Sequence, residues 1–347
     1  MPGPPYVPQV AQLGGLPTPA VDDPISAVLL LLFAGAAATN MTIFQINRRR
    51  DHKFVFSALL FGFCMARIAA LSMRMAWASH PTNVNVAIAA NVFTVAGVIL
   101  LFLVNLLFTA RLVRAYHPHF GWHPATRWAF RLVYFSLVAD LVMAVVASVQ
   151  AFFTLDPNTR RIDRDIQLFV TTSFAVLAFL PVPVVALAAA LPRPSRLEKF
   201  GQGRFRTKRR LLLGTALLLT LGAAFRTGVA FDVRPAAQPA WFHHRAAYYC
   251  FNYVVELLVV YAYTVARFDR RFHVPDGSSG PGHYAGGRQG KDAGLADRVN
   301  AEADVFGSDA PPDAAGGTGL VGRSESIPRL TREWEEKAQD ELEKEAV

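Results

Sequence analysis

Between Pro24 and Ala266 the chain carries seven long apolar segments, and the loops joining them alternate between strongly basic and nearly neutral. A run of about 20 apolar residues is what a helix needs to cross a bilayer core. Seven such runs in 347 residues exclude a soluble domain and predict an all-α, polytopic bundle of seven transmembrane helices. The hydropathy places them at about 24–46, 54–78, 84–110, 129–154, 166–191, 211–231 and 246–266. Pro181 and Pro183 fall inside the fifth, where proline removes a backbone donor, so a kink is expected there.

The loop charges set the orientation. Arg48, Arg49, Arg50 and Lys53 follow the first segment, Arg111, Arg114, Arg127 and Arg131 the third, and eight cations from Arg193 to Arg210 the fifth. The intervening loops are nearly neutral: Arg160, Arg161 and Arg164 stand beside Asp156, Asp163 and Asp165, the sixth loop has only Arg234 and Arg245 against Asp232, and the loop after the second segment has no Lys or Arg. The positive-inside rule then puts the N-terminus outside and the C-terminus in the cytosol.

Charge is distributed unevenly along the chain. Residues 1–271 hold 27 Lys and Arg against 11 Asp and Glu, about +16, whereas residues 272–347 hold 8 against 15, or −7. The basic excess lies in short loops beside apolar segments, so it reads as contact with anionic lipid headgroups, above all at Arg204, Arg206, Lys208, Arg209 and Arg210, and not as a nucleic-acid footprint. Three regions follow: a Pro- and Gly-rich extracellular segment 1–23 expected to be disordered, the bundle 24–272, and an acidic cytosolic tail 273–347. Within the tail, 328–345 has the pattern of a short charged helix. The lack of Lys or Arg before the first segment argues for a retained anchor over a cleaved signal peptide. The plasma membrane is the expected location.

In a bilayer the informative residues are polar ones at depth. Arg67, Asp140, Arg226 and Glu256 lie well inside the second, fourth, sixth and seventh segments, within a band less than about 10 Å thick, so each must face the interior and find a partner. Arg67 and Glu256 match best in depth. On the seventh segment Tyr249, Asn252, Tyr253, Glu256 and Tyr263 recur at helical offsets and form one polar-aromatic stripe. Arg67, Asp140, Arg226, Tyr249, Asn252, Tyr253 and Glu256 are therefore either interhelical ion pairs and hydrogen bonds or the lining of an outward-opening cavity for an amphipathic ligand. Arg74 reads as a side chain snorkelling to the outer interface, and Asn40, Asn91 and Asn105 as interhelical hydrogen-bond formers.

Chemistry is constrained by what is missing. All nine histidines lie in loops or the tail, so none can hold haem or zinc within the membrane, and no nucleophile elbow or Walker A motif occurs. No enzymatic activity, cofactor or metal is expected. Cys64 and Cys250 both fall in apolar segments, which excludes a disulfide framework and reads as two buried thiols.

Over about residues 24–272 the chain resembles a fungal family of seven-helix membrane proteins and, more distantly, the fungal lipid-translocating exporters. The resemblance is carried by topology and by the stretch from Ala-Ala-Phe-Arg226 through Tyr248 and Glu256 to Arg267-Phe-Asp. The exporters place acidic residues soon after their arginine; here the nearest is Asp232. The resemblance implies a bundle with a polar site near the midplane, with Arg226 and Glu256 as the corresponding positions. Two functions remain open on sequence: transport or translocation of lipids or amphipathic molecules, or a receptor coupling to cytosolic partners through residues 192–210 and the tail. A third, a scaffold acting through the tail, uses the same features.

Overall fold

Hydrocarbon offers no hydrogen bonds, so each apolar run must satisfy its backbone within itself, and each becomes a helix. The computed structural model describes residues 3–6, 10–49, 54–192, 197–275 and 277–286. Seven helices are long and apolar enough to span: α1 Pro19–Arg49, α2 Phe56–Ser79, α3 Val84–Tyr116, α4 Pro124–Phe153, α5 Pro157–Ala190, α6 Phe205–Phe231 and α7 Arg245–Val265. The protein is thus an all-α, multi-pass integral membrane protein. No strand is formed among the described residues.

Consecutive helices pack side by side, and α7 returns to α1. The second half of α3, Ile99–Tyr116, departs from this ring and contacts α2, α4, α5 and α6. Thirteen of its eighteen residues are buried, which is why that stretch is apolar on every side. Elsewhere one face of each helix is exposed, with Leu31, Leu132, Phe135 and Phe169 presented outward to lipid.

Three spans lose regular α-geometry. Helix α3 breaks at Val98, between Val84–Gly97 and Ile99–Tyr116. Helix α5 breaks at Leu180, immediately before Pro181, as the two prolines require. Helix α7 widens into a π-turn over Cys250–Val254, a feature that the apolar pattern gave no sign of.

Both ends of the bundle are covered by chain that composition assigned to disorder. At the N-terminal end Tyr6 N–H donates to Phe152 O (2.7 Å), Ala11 N–H to Arg234 O (2.9 Å) and Gly14 N–H to His243 O (3.0 Å). The N-terminal segment is therefore strapped across the end of α4 and the connection between α6 and α7, and α1 begins at Pro19, five residues before the hydropathy boundary. At the opposite end chain beyond the 272/273 boundary is engaged as well: Gly282 N–H donates to Glu198 Oε1 (2.6 Å), and the buried Tyr284 ring sits edge-on to Trp122 and Phe200. Just before the boundary, Phe272 stacks on Phe108 (4.2 Å between centroids). The helix expected at 328–345 lies outside the described residues.

Two further expectations are corrected. Lys208 does not belong with the surface cations Arg204, Arg206, Arg209 and Arg210: it is 1% exposed, donates to Phe200 O, and its ammonium lies over the Phe200 and Phe205 rings. Cys64 is buried, but Cys250 is exposed.

Because Tyr284 fills an aromatic slot between two loops, Tyr284→Ala should lower stability by on the order of 3 kcal/mol. A chain ended after Pro275 should melt lower in detergent as well. Melting equal to that of the full chain would show that the strap contributes nothing.

Candidate functional site

Arg67 and Arg74 are seven residues apart on α2, so one face of that helix carries both guanidinium groups into the bundle. Lipid tails give helices no hydrophobic reason to associate, so packing and interhelical polar bonds must do so. The partners of both arginines come largely from α7 and α1.

At mid-depth, Arg67 is fully buried and forms a two-pronged pair with Glu256: Nε donates to Oε2 (2.6 Å) and Nη2 to Oε1 (2.8 Å). Its remaining nitrogen, Nη1, donates to Thr94 O (2.7 Å), a carbonyl in the turn just before α3 breaks. The guanidinium lies over the rings of Phe63 and Tyr253, 5.4 Å from each centroid. Gly97 allows this approach, since a Cβ there would stand 3.2 Å from Arg67 Cζ. Glu256 also takes Arg226 from α6: Nη1 lies 3.4 Å from Oε1 and 3.2 Å from Asn252 Oδ1. Helix α6 comes close because residue 222 is glycine; a Cβ there would meet Phe251 O at 2.9 Å, inside the π-turn. The π-turn lets the neighbouring Asn252 and Tyr253 both face inward.

A second cluster lies toward the end of the bundle that carries the N-terminal strap. Asp22 on α1, fully buried, accepts from Arg74 Nη2 (3.1 Å) and Tyr249 Oη (2.8 Å) at Oδ1, and from Thr18 N–H (2.9 Å) at Oδ2, where Arg245 Nε also lies at 3.3 Å. Arg74 reaches on to Gly14 O (2.9 Å) and Arg245 to Leu16 O (3.2 Å), which ties the N-terminal strap to the bundle. Tyr248 Oη and Tyr253 Oη, 3.0 Å apart, join the two clusters.

Toward the C-terminal end of α7 the stripe continues as helix-to-helix bonds. Tyr263 Oη bonds to Asn105 on α3 and to Thr215 on α6, and Asn40 on α1 donates to Thr264 Oγ1 (3.0 Å). In the turn after α7, Arg267 (φ 50°) and Asn47 both donate to Asp269. Burial alone would push the Asp269 carboxyl up, but those hydrogen bonds and the charges of Arg267 and Arg270 outweigh it and hold it below the usual range.

Of the seven sequence-derived residues, Arg67, Arg226, Asn252, Tyr253 and Glu256 thus meet in one network. Tyr249 belongs to the second cluster. Asp140 is in neither: it is buried between α4 and α5, bonded to Ser173 Oγ. Arg67, Asn252, Tyr253 and Glu256 are each 2% exposed or less and packed together, so where a cavity lined by all of them was expected, only Arg226 keeps an open edge, at 22% side-chain exposure.

Sequence reasoning missed Asp22, Arg74 and Arg245 as site residues. Arg74 carried a usable signal, because its seven-residue spacing from Arg67 puts it on the same inward face. Asp22 gave no depth signal, because it stands before the hydropathy boundary at 24 although α1 begins at Pro19.

The chain is similar over residues 205–273 to a sequence family described as "Protein of unknown function (DUF3112)". That stretch holds Arg226, the whole of α7 and Asp269. No curated protein and no solved structure matches the chain.

Removing one member of the buried pair strands the other, so Arg67→Met or Glu256→Gln alone should cost about 3–5 kcal/mol. The double variant should recover part of that loss, and strict additivity of the two would show the residues uncoupled. In the turn after α7 the depressed Asp269 carboxyl contributes stability at neutral pH that is lost as pH falls below about 4, the unfolded value, and through the lower folded one. Asp269→Asn should flatten that acid limb of the melting-temperature profile; an unchanged limb would assign it to other groups.

Proposed function

We propose that this membrane protein moves lipids or amphipathic small molecules across or within the bilayer, without catalysing a chemical reaction. One observation carries the reading: the Arg67–Glu256–Arg226 network sits where two spans are interrupted. Arg67 bonds the last turn of α3 before its break, and Glu256 follows directly on the π-turn of α7. Discontinuous helices around a mid-membrane polar site are a recurring feature of transporters, because irregular backbone is tolerated there only inside protein or beside a cavity. The break of α5 at Leu180 adds a third interruption.

The likeness to fungal lipid-translocating exporters supports the same reading, with Arg226 and Glu256 as the corresponding positions. Asn252 and Tyr253 are assigned to the ligand side of the network, and Tyr249 to the second cluster that closes above it. A receptor coupling through residues 192–210 and the tail draws less support, since Glu198, Phe200 and Lys208 are engaged with other parts of this chain.

Thermal stability in detergent, screened against sphingoid bases, sterols and amphipathic drugs, tests binding. Transport is tested by flux of the stabilising compounds in reconstituted vesicles. Asn252→Ala and Tyr253→Phe should keep the fold and lower flux about tenfold or more, in line with the loss of one or two hydrogen bonds. Full flux in both variants would remove these residues from the site, and no flux of any stabilising compound would remove the transport reading.

A further inference from the structure

The mid-depth network does not balance its charge. Two guanidinium groups, Arg67 and Arg226, share the single carboxylate of Glu256, and among the described residues no other Asp or Glu pairs with either. Glu256 is already engaged at both oxygens by Arg67, so Arg226 comes third, through Nη1 alone and at 3.4 Å. One positive charge is left over, and it belongs to Arg226.

The free hydrogen-bonding capacity lies in the same place. Nε and Nη2 of Arg226 have no partner among the described residues, and its side chain is the one part-open member of the network. Asn252, 2% exposed, bonds Arg226 through Oδ1, and the other atom of that amide, Nδ2, has no partner among the described residues. An amide donor and a guanidinium edge thus stand side by side with capacity for an acceptor.

Depth indicates what that could be. Helix α6 has 27 residues, about 40 Å against a hydrocarbon core of about 30 Å. Arg226 stands five residues before Phe231, so its Cα is about 8 Å below the outer end of the helix. From there the guanidinium reaches inward to Glu256, so its open edge lies between the mid-depth network and that end of the span. A guanidinium fork matches the paired oxygens of a carboxylate or phosphate.

We infer that Arg226 Nε and Nη2, with the Asn252 amide beside them, form a binding site for an oxyanion, the carboxylate or phosphate headgroup of an amphiphile entering between α6 and α7. This deepens the transport reading by naming the class of molecule carried; binding itself does not depend on that reading. The bound oxyanion neutralises the network's extra charge, and its apolar tail lies along the outward faces of the two helices.

Binding is tested with the full-length protein in neutral detergent, by melting temperature and by titration with oleate, dodecyl phosphate, inorganic phosphate and dodecyltrimethylammonium. The two anionic amphiphiles should stabilise the protein and the cationic one should not. Arg226→Gln should weaken anion binding on the order of 10–100-fold. Arg226→Lys, which keeps the charge but loses the fork, should fall between and serves if Arg226→Gln does not fold. A variant with Arg204, Arg206, Arg209 and Arg210 all changed to Gln should retain the effect, which separates this site from the basic surface. If inorganic phosphate also binds in an Arg226-dependent way, the site takes free anions from water; if only the amphiphiles bind, it takes a lipid headgroup. Equal binding by wild type and Arg226→Gln, or loss of binding only in the four-arginine variant, overturns the site. Carriage of cationic or uncharged amphiphiles alone would leave transport standing without it, and anion binding with no flux would do the reverse.

Discussion

The arrangement of this bundle depends on the two-pronged bond between Arg67 and Glu256. An isolated charge at that depth is expensive in lipid, and among the described residues Arg67 has no carboxylate partner but Glu256. Satisfying both forces α2 against α7 in one rotational setting, since the guanidinium fork fixes the approach in two directions. The third face of the guanidinium is spent on α3, so three helices are positioned by a single side chain.

Around that bond, α7 acts as the common partner of the bundle. At successive levels it bonds α1 through Tyr249 and Thr264, α2 through Glu256, α3 through Tyr253 and Tyr263, and α6 through Glu256 and Tyr263. A polar stripe on one helix substitutes for the apolar driving force that water would supply to a soluble core. The lipid-facing sides of the helices, by contrast, need only be apolar, and exposed leucine and phenylalanine there require no partner.

What could be read from the sequence follows from this division. Helix number and spans were legible because length and apolarity are properties of one segment at a time. The pairing of Arg67 with Glu256 was legible because depth is also a one-dimensional quantity. Depth says nothing about direction around the bundle, which is why Asp140, in the same band, turns out to be on the α4–α5 side and bonded to Ser173. The straps at the two ends were hidden for a different reason. Pro- and Gly-rich chain reads as unstructured, yet the bonds that hold it are to backbone carbonyls of loops distant in sequence, to which composition is blind. Lys208 shows the same limit: its charge suggested a surface role, while two phenylalanine rings and a carbonyl form an enclosure for it.

The separation of Arg67 from its carboxylate along the chain bears on how the protein is made. The two residues are 189 positions apart. At about 5–20 residues per second, Arg67 is synthesised roughly 10–40 s before Glu256 exists. Over that interval α2 must hold an uncompensated cation, which favours keeping it near an interface or beside the insertion machinery instead of settling in its final place. Asp22 waits far less, because Arg74 on α2 follows it by only 52 residues and Arg245 at the start of α7 merely adds a second cation. Insertion of the last span is therefore the event that closes the bundle, and a ribosome stalled before it leaves behind a set of helices in which Arg67 still lacks its counterpart.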